Sequence, residues 1–314
     1  MTEVRPDISI AVIAYNHERF IGDTFRGIAI QQFSGTIEVV IGDDCSPDHT
    51  RELARTFVEQ HPNVRLLFHE HNLGMMGNWT ATINACTGRY IALCEGDDYW
   101  INPLKLQKQV DFLEANRNYA MCFHEVSILT PDGRLAPSTI SLPEGYEHQD
   151  TLAAKGNYIH TPSVVFRNVL QSFPPEMFPS PLADFFLYNL LAEHGKLGYL
   201  PEVMAVYRSN VGIWSNLTGA QMFPKNIMTF LLLRKYFHGK GSKLTEVFDQ
   251  RIYIAGAERH LNIEELMQLC RTDESFGHKL IHYLHDRNMN PLSAFPASGL
   301  IKELCRRIQK VIGI

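Results

Sequence analysis

The sequence predicts an α/β fold in which a mostly parallel central sheet is followed by a C-terminal helical extension. Three observations carry this prediction. Short β-rich apolar runs alternate with helical segments through the first 130 residues, polar clusters close several of those runs, and beyond about residue 215 the pattern turns helical. Strands of four to eight residues separated by helical segments imply βαβ units with right-handed connections.

ISIAVIA (8–14) is the first apolar run, and a helix is expected over about 18–32. TIEVVIG (36–42) predicts a second strand, followed by a helix over about 48–60. VRLLFH (64–69) and YIALC (90–94) predict the third and fourth strands, leading into helices over 75–86 and 103–116. YAMCFHEVSIL (119–129) predicts the fifth. Residues 130–160 hold turn-formers without a sustained period and are expected to be irregular. SVVF (163–166) reads as a strand, PLADFFLYNLLAEHG (181–195) as a helix with a glycine stop, and GYLPEVMAVYR (198–208) as one or two strands. Helices then follow, with turns at GKGS (239–242) and NMNPLSAFP (288–296).

The 314 residues suit one large domain, or one domain with an extension. A formal net charge of −5 argues against a general nucleic-acid binder, which shows a basic excess. The six cysteines (45, 86, 94, 122, 270, 305) form no CxxC pair and no Cys/His metal spacing, as expected of reduced thiols in a cytoplasm. MTEVRPDISI lacks the basic and apolar regions of a signal peptide, and no run approaches the roughly 20 apolar residues of a membrane span. The expected location is therefore cytoplasmic.

In an open parallel sheet, ligands collect at the C-terminal strand edges near a topological switch point. Three polar clusters fall at such edges: AYNHERF (14–20), GDDCSPDHT (42–50) and EGDD (95–98) within LCEGDDYW. Two acidic clusters on one edge repel unless a cation or a donor-rich ligand sits between them. Asp43 or Asp44 can accept from a uracil imide or a ribose hydroxyl. The same stretch also works as turn and helix cap, with Ser46-Pro47-Asp48 favourable to the following helix. Glu95, Asp97 and Asp98 offer the hard oxygens that Mg²⁺ or Mn²⁺ takes beside substrate phosphates; the plain alternative is a solvated strand end.

Taken together, ISIAVIAYNHERFIGDTFRGIAIQQ, EVVIGDDCSPDHT, NLGMMGNW…ACTGRYIALCEGDDYW and PLADFFLYNLLAEHGKLGYLPEVMAVYR resemble the family 2 inverting glycosyltransferases, in order and spacing, across roughly 200 residues. The resemblance implies a Rossmann-like GT-A fold. It also implies metal-dependent transfer of a sugar from a nucleoside-diphosphate sugar, UDP-sugar favoured, to a glycan or lipid-linked acceptor in surface polysaccharide biosynthesis. By the same resemblance Ala14, Tyr15 and Asn16 line the nucleotide pocket, and Asp44 binds base or ribose with Asp43 beside it. Gly74 and Asn78 belong to the segment that passes under the nucleotide. Glu95, Gly96 and Asp97 occupy the D-x-D motif, with Asp97 on Mn²⁺ or Mg²⁺ and Glu95 on the ribose or the metal. Glu in the first place departs from the family's usual Asp.

Asp184 matches the acidic block that opens a helix near the acceptor, so the resemblance implies it as the catalytic base; a helix N-cap is its plain alternative. Glu176 and Glu193 match no block. Arg208 follows Tyr207 as in the family and would fork phosphate oxygens, or else form a structural ion pair. The family's next residue of interest, a His, is Ser209 or Asn210 here. Trp100 and His160 are candidate acceptor contacts, by stacking or hydrogen bonding, with a core position as the alternative for each.

The implied organisation is a transferase domain over 1–214, with 1–130 for the nucleotide-sugar and 131–214 for the acceptor, and a helical region over 215–314. In SGLIKELCRRIQKVIGI (298–314), six aliphatic residues share helical spacing while Lys302, Arg306, Arg307 and Lys310 lie mostly off that stripe. Such a helix suits packing on protein, a second subunit in a homo-oligomer, or peripheral contact with the inner face of a membrane. Two other classes stay open. A nucleotidyltransferase would want a Gly-rich basic loop after the first strand, and AYNHERF contains no glycine. A non-catalytic nucleotide-sugar-binding protein would be separated by the effect of Asp184→Asn.

Overall fold

The computed structural model describes residues 5–212 and 215–258. The chain divides into two compact units, Met1–Phe173 with Ala183–Asn216, and Pro174–Leu182 with Leu217–Ile314.

The first unit is built on β1 (Ile8–Ala14), apolar at nearly every residue and buried along its whole length. A strand of that kind needs cover on both faces and neighbours on both edges. β2 (Ile37–Asp43) and β4 (Tyr90–Glu95) flank it in parallel, and β3 (Val64–Phe68) runs parallel to β2. α1 (Ile21–Ala29), α2 (Thr50–Gln60) and α3 (Gly74–Ala85) make the connections. Ile21, Phe25 and Ile28 recur at helical spacing on one face of α1 and are buried, and Phe25 stacks on Phe57 of α2 with ring centroids 4.3 Å apart.

The full order is β3-β2-β1-β4-β8-β6-β9-β5, using β5 (Tyr99–Trp100), β6 (Tyr119–Leu129), β8 (Val165–Arg167) and β9 (Lys196–Arg208). β7 (Leu135–Pro137) pairs with β6, and α4 (Lys105–Ala115) leads from β5 into β6. The chain thus winds outward from β1 to β3, then returns to β4 on the other side. That reversal sets a switch point at the C-terminal ends of β1, β2 and β4. The parallel pattern covers β3-β2-β1-β4. Beyond it the sheet is mixed, because β8 runs antiparallel to both β4 and β6, while β6 and β9 are parallel.

Several element expectations need correction. The stretch expected to be irregular contains β7 and α5 (Gln149–Lys155), a seven-residue helix too short to show a period and stopped by Gly156 at φ 90°. SVVF is not all strand: Thr161–Ser163 forms a 3₁₀ turn around Pro162, and β8 begins at Val165. β9 is one strand, bulged where its pairing jumps from His124↔Leu200 to Glu125↔Val203. Pro201 sits inside that jump and has no N–H for the ladder. α1 starts at Ile21 rather than near 18; residues 18–20 form a turn in which the His17 carbonyl accepts from the Phe20 and Ile21 N–H groups. α6 (Ala183–Leu191) closes the unit's element list.

The second unit contains a 3₁₀ turn (Pro175–Met177), α7 (Gly219–Gly239) and α8 (Leu244–Glu258). Thr218 and Gln221 cap α7 reciprocally, and Gly241 at φ 64° turns the chain between the helices. Arg234 pairs with Asp249, and Phe237 stacks on Phe248 with centroids 5.9 Å apart. Among the described residues no helix is long and apolar enough to cross a membrane. The stripe at 298–314 and the turn at 288–296 lie outside the described residues.

Candidate active site

Main-chain hydrogen bonds tie the three strand ends together at the switch point. The Ala14 carbonyl accepts from the Asp44 N–H (3.0 Å) and from Asn78 Nδ2 (3.3 Å), and the Ile13 carbonyl accepts from the Gly96 N–H (2.9 Å). Beyond β1, Asn16 turns the chain at φ 59°, and beyond β2, Cys45 does so at φ 61°. Both are left-handed conformations uncommon outside glycine. The Asn16 N–H donates to Ser46 Oγ (3.0 Å), joining the two turns, and Tyr15 stands exposed beside them.

The first acidic cluster is occupied by the protein itself. Asp43 is fully buried, and its carboxylate accepts from the Ser46 N–H (3.1 Å), the Ser46 hydroxyl and the Arg51 guanidinium. This corrects the expectation that Asp43 faces a nucleotide. Its oxygens hold the loop instead. Asp44 Oδ1 accepts from the Leu73 N–H (2.6 Å), while its Oδ2 has no hydrogen bond among the described residues. Gly74, at φ 76°, opens α3 with free space where a Cβ would be. Asn78 is a second correction. It is buried, donates to the Ala14 and Gly42 carbonyls and pairs with His69 Nε2 (3.0 Å), so it staples β1 and β2 to α3. The N-cap of α2 is His49 rather than a residue of Ser46–Asp48, and Asp48, one place before it, accepts from the Thr50 and Glu18 N–H groups at 3.0 Å each.

The second acidic cluster is not occupied in this way. Glu95, Asp97 and Asp98 each offer a carboxylate oxygen within 4.8 Å of the others. No lysine or arginine forms an ion pair with any of the three among the described residues. Asp98 Oδ1 accepts from the Arg208 N–H (2.8 Å), but its Oδ2 is buried without a partner. Burial, with the charges of Asp97 and Asp184 behind it, pushes Glu95 up to about 8. Burial and the neighbouring Asp97 and Glu95 hold Asp98 well above the usual carboxylate range. A crowded all-carboxylate set with an orphaned buried oxygen is the donor chemistry of a hard divalent cation, and these residues fit one.

Gly96 is required where it stands. A Cβ there would lie 2.6 Å from His17 Nδ1, so a side chain would block the turn against the loop after β1. His17 Nδ1 is itself buried without a partner, and burial holds its ring below the ordinary value. Thr24 Oγ1 donates to the Gly96 (3.1 Å) and Asp98 (2.6 Å) carbonyls and fixes the acidic turn onto α1.

Asp184 sits in the first turn of α6, half-buried, and its charge reaches Glu95. Oδ1 accepts from the Phe185 N–H (2.7 Å) and Oδ2 from Asn157 Nδ2 (2.6 Å). Burial raises its carboxyl against the pull of those two donors.

Two further expectations fail on burial. Arg208 is 7% exposed, its guanidinium pairing with Asp23, donating to the Asp97 carbonyl (2.6 Å) and lying over Phe20 and Tyr99. It clamps the acidic turn to α1 from behind rather than forking a phosphate. Trp100 is 1% exposed, donates from Nε1 to the Pro162 carbonyl (2.9 Å) and has Lys105 Nζ over its ring, so it presents no face to a sugar. His160 is half-buried, with Nε2 3.1 Å from Ser138 Oγ and its ring against Tyr207.

The family model described as Glycosyl transferase family 2 matches residues 9–172, about half of the chain, and spans all three strand ends. The chain belongs to glycosyltransferase family 2. The chain is 36% identical over 214 residues to the uncharacterized protein Rv1520 of Mycobacterium tuberculosis, covering 66% of this chain and 60% of that one. It is 33% identical over 129 residues to the succinoglycan biosynthesis protein ExoO of Rhizobium meliloti, covering 41% of this chain and 36% of the other. The chain therefore spans about three fifths or less of these relatives' length. Among solved structures, S. aureus TarS 1–349 superposes with a TM-score of 0.61 at 16% identity, covering 98% of this chain and 90% of that one. That likeness shows the GT-A fold. TarS has also been crystallised with UDP and with UDP-GlcNAc.

The structure adds residues that sequence reasoning passed over. His17 lies inside AYNHERF and could have been flagged by residue type. Asn157 and Thr161, which touch Asp184 and Glu95, carried no signal at all.

Proposed function

We propose that the protein is a metal-dependent inverting glycosyltransferase that moves a sugar from a nucleoside-diphosphate sugar to a glycan or lipid-linked hydroxyl. One observation carries this reading: three uncompensated carboxylates, one with an orphaned buried oxygen, at the switch point of a family 2 domain. In this reading residues 1–130 bind the donor, 131–214 face the acceptor, and 215–314 form a helical region. The ExoO match supports a role in polysaccharide biosynthesis. The UDP complexes of TarS support a UDP-sugar donor.

The donor nucleotide lies along Ala14–Asn16 and over Gly74, with the free Asp44 Oδ2 accepting from the base or ribose. Glu95 and Asp97 would hold Mn²⁺ or Mg²⁺, with Asp98 offering a carboxylate oxygen within 4.8 Å of theirs. When bound, the cation supplies screening of the charge that develops on the departing nucleoside diphosphate. Asp184 takes the proton of the acceptor hydroxyl as that oxygen attacks the anomeric carbon from the face opposite the leaving group. Its raised affinity for a proton suits a base, and the Phe185 N–H and Asn157 amide hold the carboxylate in one orientation.

Thermal unfolding with UDP-, GDP- and TDP-sugars, each with Mn²⁺, Mg²⁺ or chelator, tests the reading. One nucleotide class should raise the midpoint only when a cation is present. If no nucleotide–cation pair raises it, the reading is wrong. Asp184→Asn should lower transfer by about 10²- to 10⁴-fold while leaving that thermal response intact.

A further inference from the structure

The geometry points to His17 as a further residue that holds the donor, its Nε2–H donating to a phosphate oxygen of the nucleoside diphosphate beside the acidic turn. This role rests on the glycosyltransferase reading above and falls to a residue that the resemblance leaves unassigned.

The main chain of His17 is fixed on both sides. Its N–H donates to Thr50 Oγ1 (2.8 Å), at the first residue of α2. Its carbonyl accepts from the Phe20 and Ile21 N–H groups (2.9 Å each), where α1 begins. Asn16, just before it, is held at φ 59° and tied to Ser46. Because Gly96 carries no side chain, the ring lies directly on the acidic turn, and a Cβ at Gly96 would come 2.6 Å from Nδ1. His17 thus stands between the loop that ends β2 and the turn that ends β4, the places assigned above to the nucleoside and to the cation. The diphosphate is the part of the donor that must cross this interval.

Neither ring nitrogen is spent on the protein. Nδ1 is buried without a partner, and Nε2, also without a hydrogen bond among the described residues, is the nitrogen left open. A buried orphan N–H is rarer than a buried orphan acceptor, which places the proton on Nε2 and the lone pair on Nδ1. Burial outweighs the pull of Asp97, Asp48 and Asp43 and favours the neutral ring. A lysine or arginine in this place would pair with those carboxylates, as Arg51 does with Asp43, and be used up. The neutral N–H is not captured by them and stays available to an incoming oxygen. A phosphate oxygen suits it best, because a hydrogen bond to a charged acceptor is the stronger kind. A cation on the acidic turn offsets the repulsion between that phosphate and the carboxylates.

Calorimetric titration of UDP, GDP and TDP into the full chain at neutral pH, with Mn²⁺ present, tests this in the wild type, His17→Phe and His17→Gln. Phenylalanine keeps the ring's shape and removes its N–H, whereas glutamine restores an N–H near the place of Nε2. For the diphosphate that binds the wild type, His17→Phe should lose at least about tenfold in affinity, and His17→Gln should stay within about threefold of the wild type. His17→Met, which also lacks a donor, takes the place of His17→Phe if that variant fails to fold, and the same loss is expected. A folded His17→Phe or His17→Met that binds as the wild type does overturns the role. So does a folded His17→Gln that loses as much as His17→Phe, since shape and not the N–H would then be what matters. Either result leaves the donor reading standing. If no diphosphate binds the wild type, the donor reading itself falls, and the role of His17 falls with it.

Discussion

Gly42-Asp43-Asp44 and Gly96-Asp97-Asp98 are the same tripeptide at the ends of two strands flanking β1, and the fold treats them in opposite ways. At the first, Arg51, Ser46 and the Leu73 N–H reach the carboxylates and leave one oxygen of Asp44 without a protein partner. At the second, three acids including Glu95 crowd together, and the nearby arginine gives its guanidinium to Asp23 and to a main-chain carbonyl instead. The difference shows that acidity alone does not mark a cation site. In the proposed reading, a cation site is marked by negative charge that the protein's own donors have left unbalanced.

Substitutions that break this contrast should act in a definite order. Arg208→Ala should be the most damaging to stability, at about 3–5 kcal/mol by urea unfolding, because it strips a buried guanidinium from Asp23 and from the acidic turn. Asp43→Asn should cost about 3 kcal/mol, since it leaves the Arg51 partner uncompensated. It should also spare cation binding. Asp98→Asn should reverse the sign. Its oxygen can still accept from the Arg208 N–H, while its new amide relieves the repulsion, so the cation-free protein should gain on the order of 1 kcal/mol. A loss of stability in Asp98→Asn would mean that the second cluster is compensated after all.

The same contrast predicts a pH dependence. Because Glu95 is pushed up to about 8, it keeps its proton below that pH, and a cation must displace it. Mn²⁺ affinity should therefore rise about tenfold per unit as pH increases toward 8, then level off. Calorimetry at pH 6.5, 7.5 and 8.5 measures this, and Glu95→Gln should flatten the profile.

Much of this was legible in the sequence. The run 8–14, apolar but for Ser9, and the carboxylates that end YIALC point to a buried parallel strand pair and an acidic edge, because strand period and charge are local properties. Which side chains were already engaged was not legible. Asn78, Arg208 and Trp100 have residue types that bind ligands, yet the fold buries each one against main-chain partners tens of residues away in sequence. The bulge at Pro201 and the short helix α5 escaped for a related reason, since pairing register and seven-residue helices leave little periodic trace.

The central claim is that the second GDD, and not the first, holds the cation. Calorimetric titration of Mn²⁺ into the wild type, Asp97→Asn and Asp43→Asn, each in the presence of UDP, tests it most directly. The wild type and folded Asp43→Asn should bind with affinities within about threefold of each other, and Asp97→Asn should lose at least about tenfold, the loss of one charged ligand to the ion. Unchanged Mn²⁺ binding in Asp97→Asn, or its loss in a folded Asp43→Asn, would contradict the account.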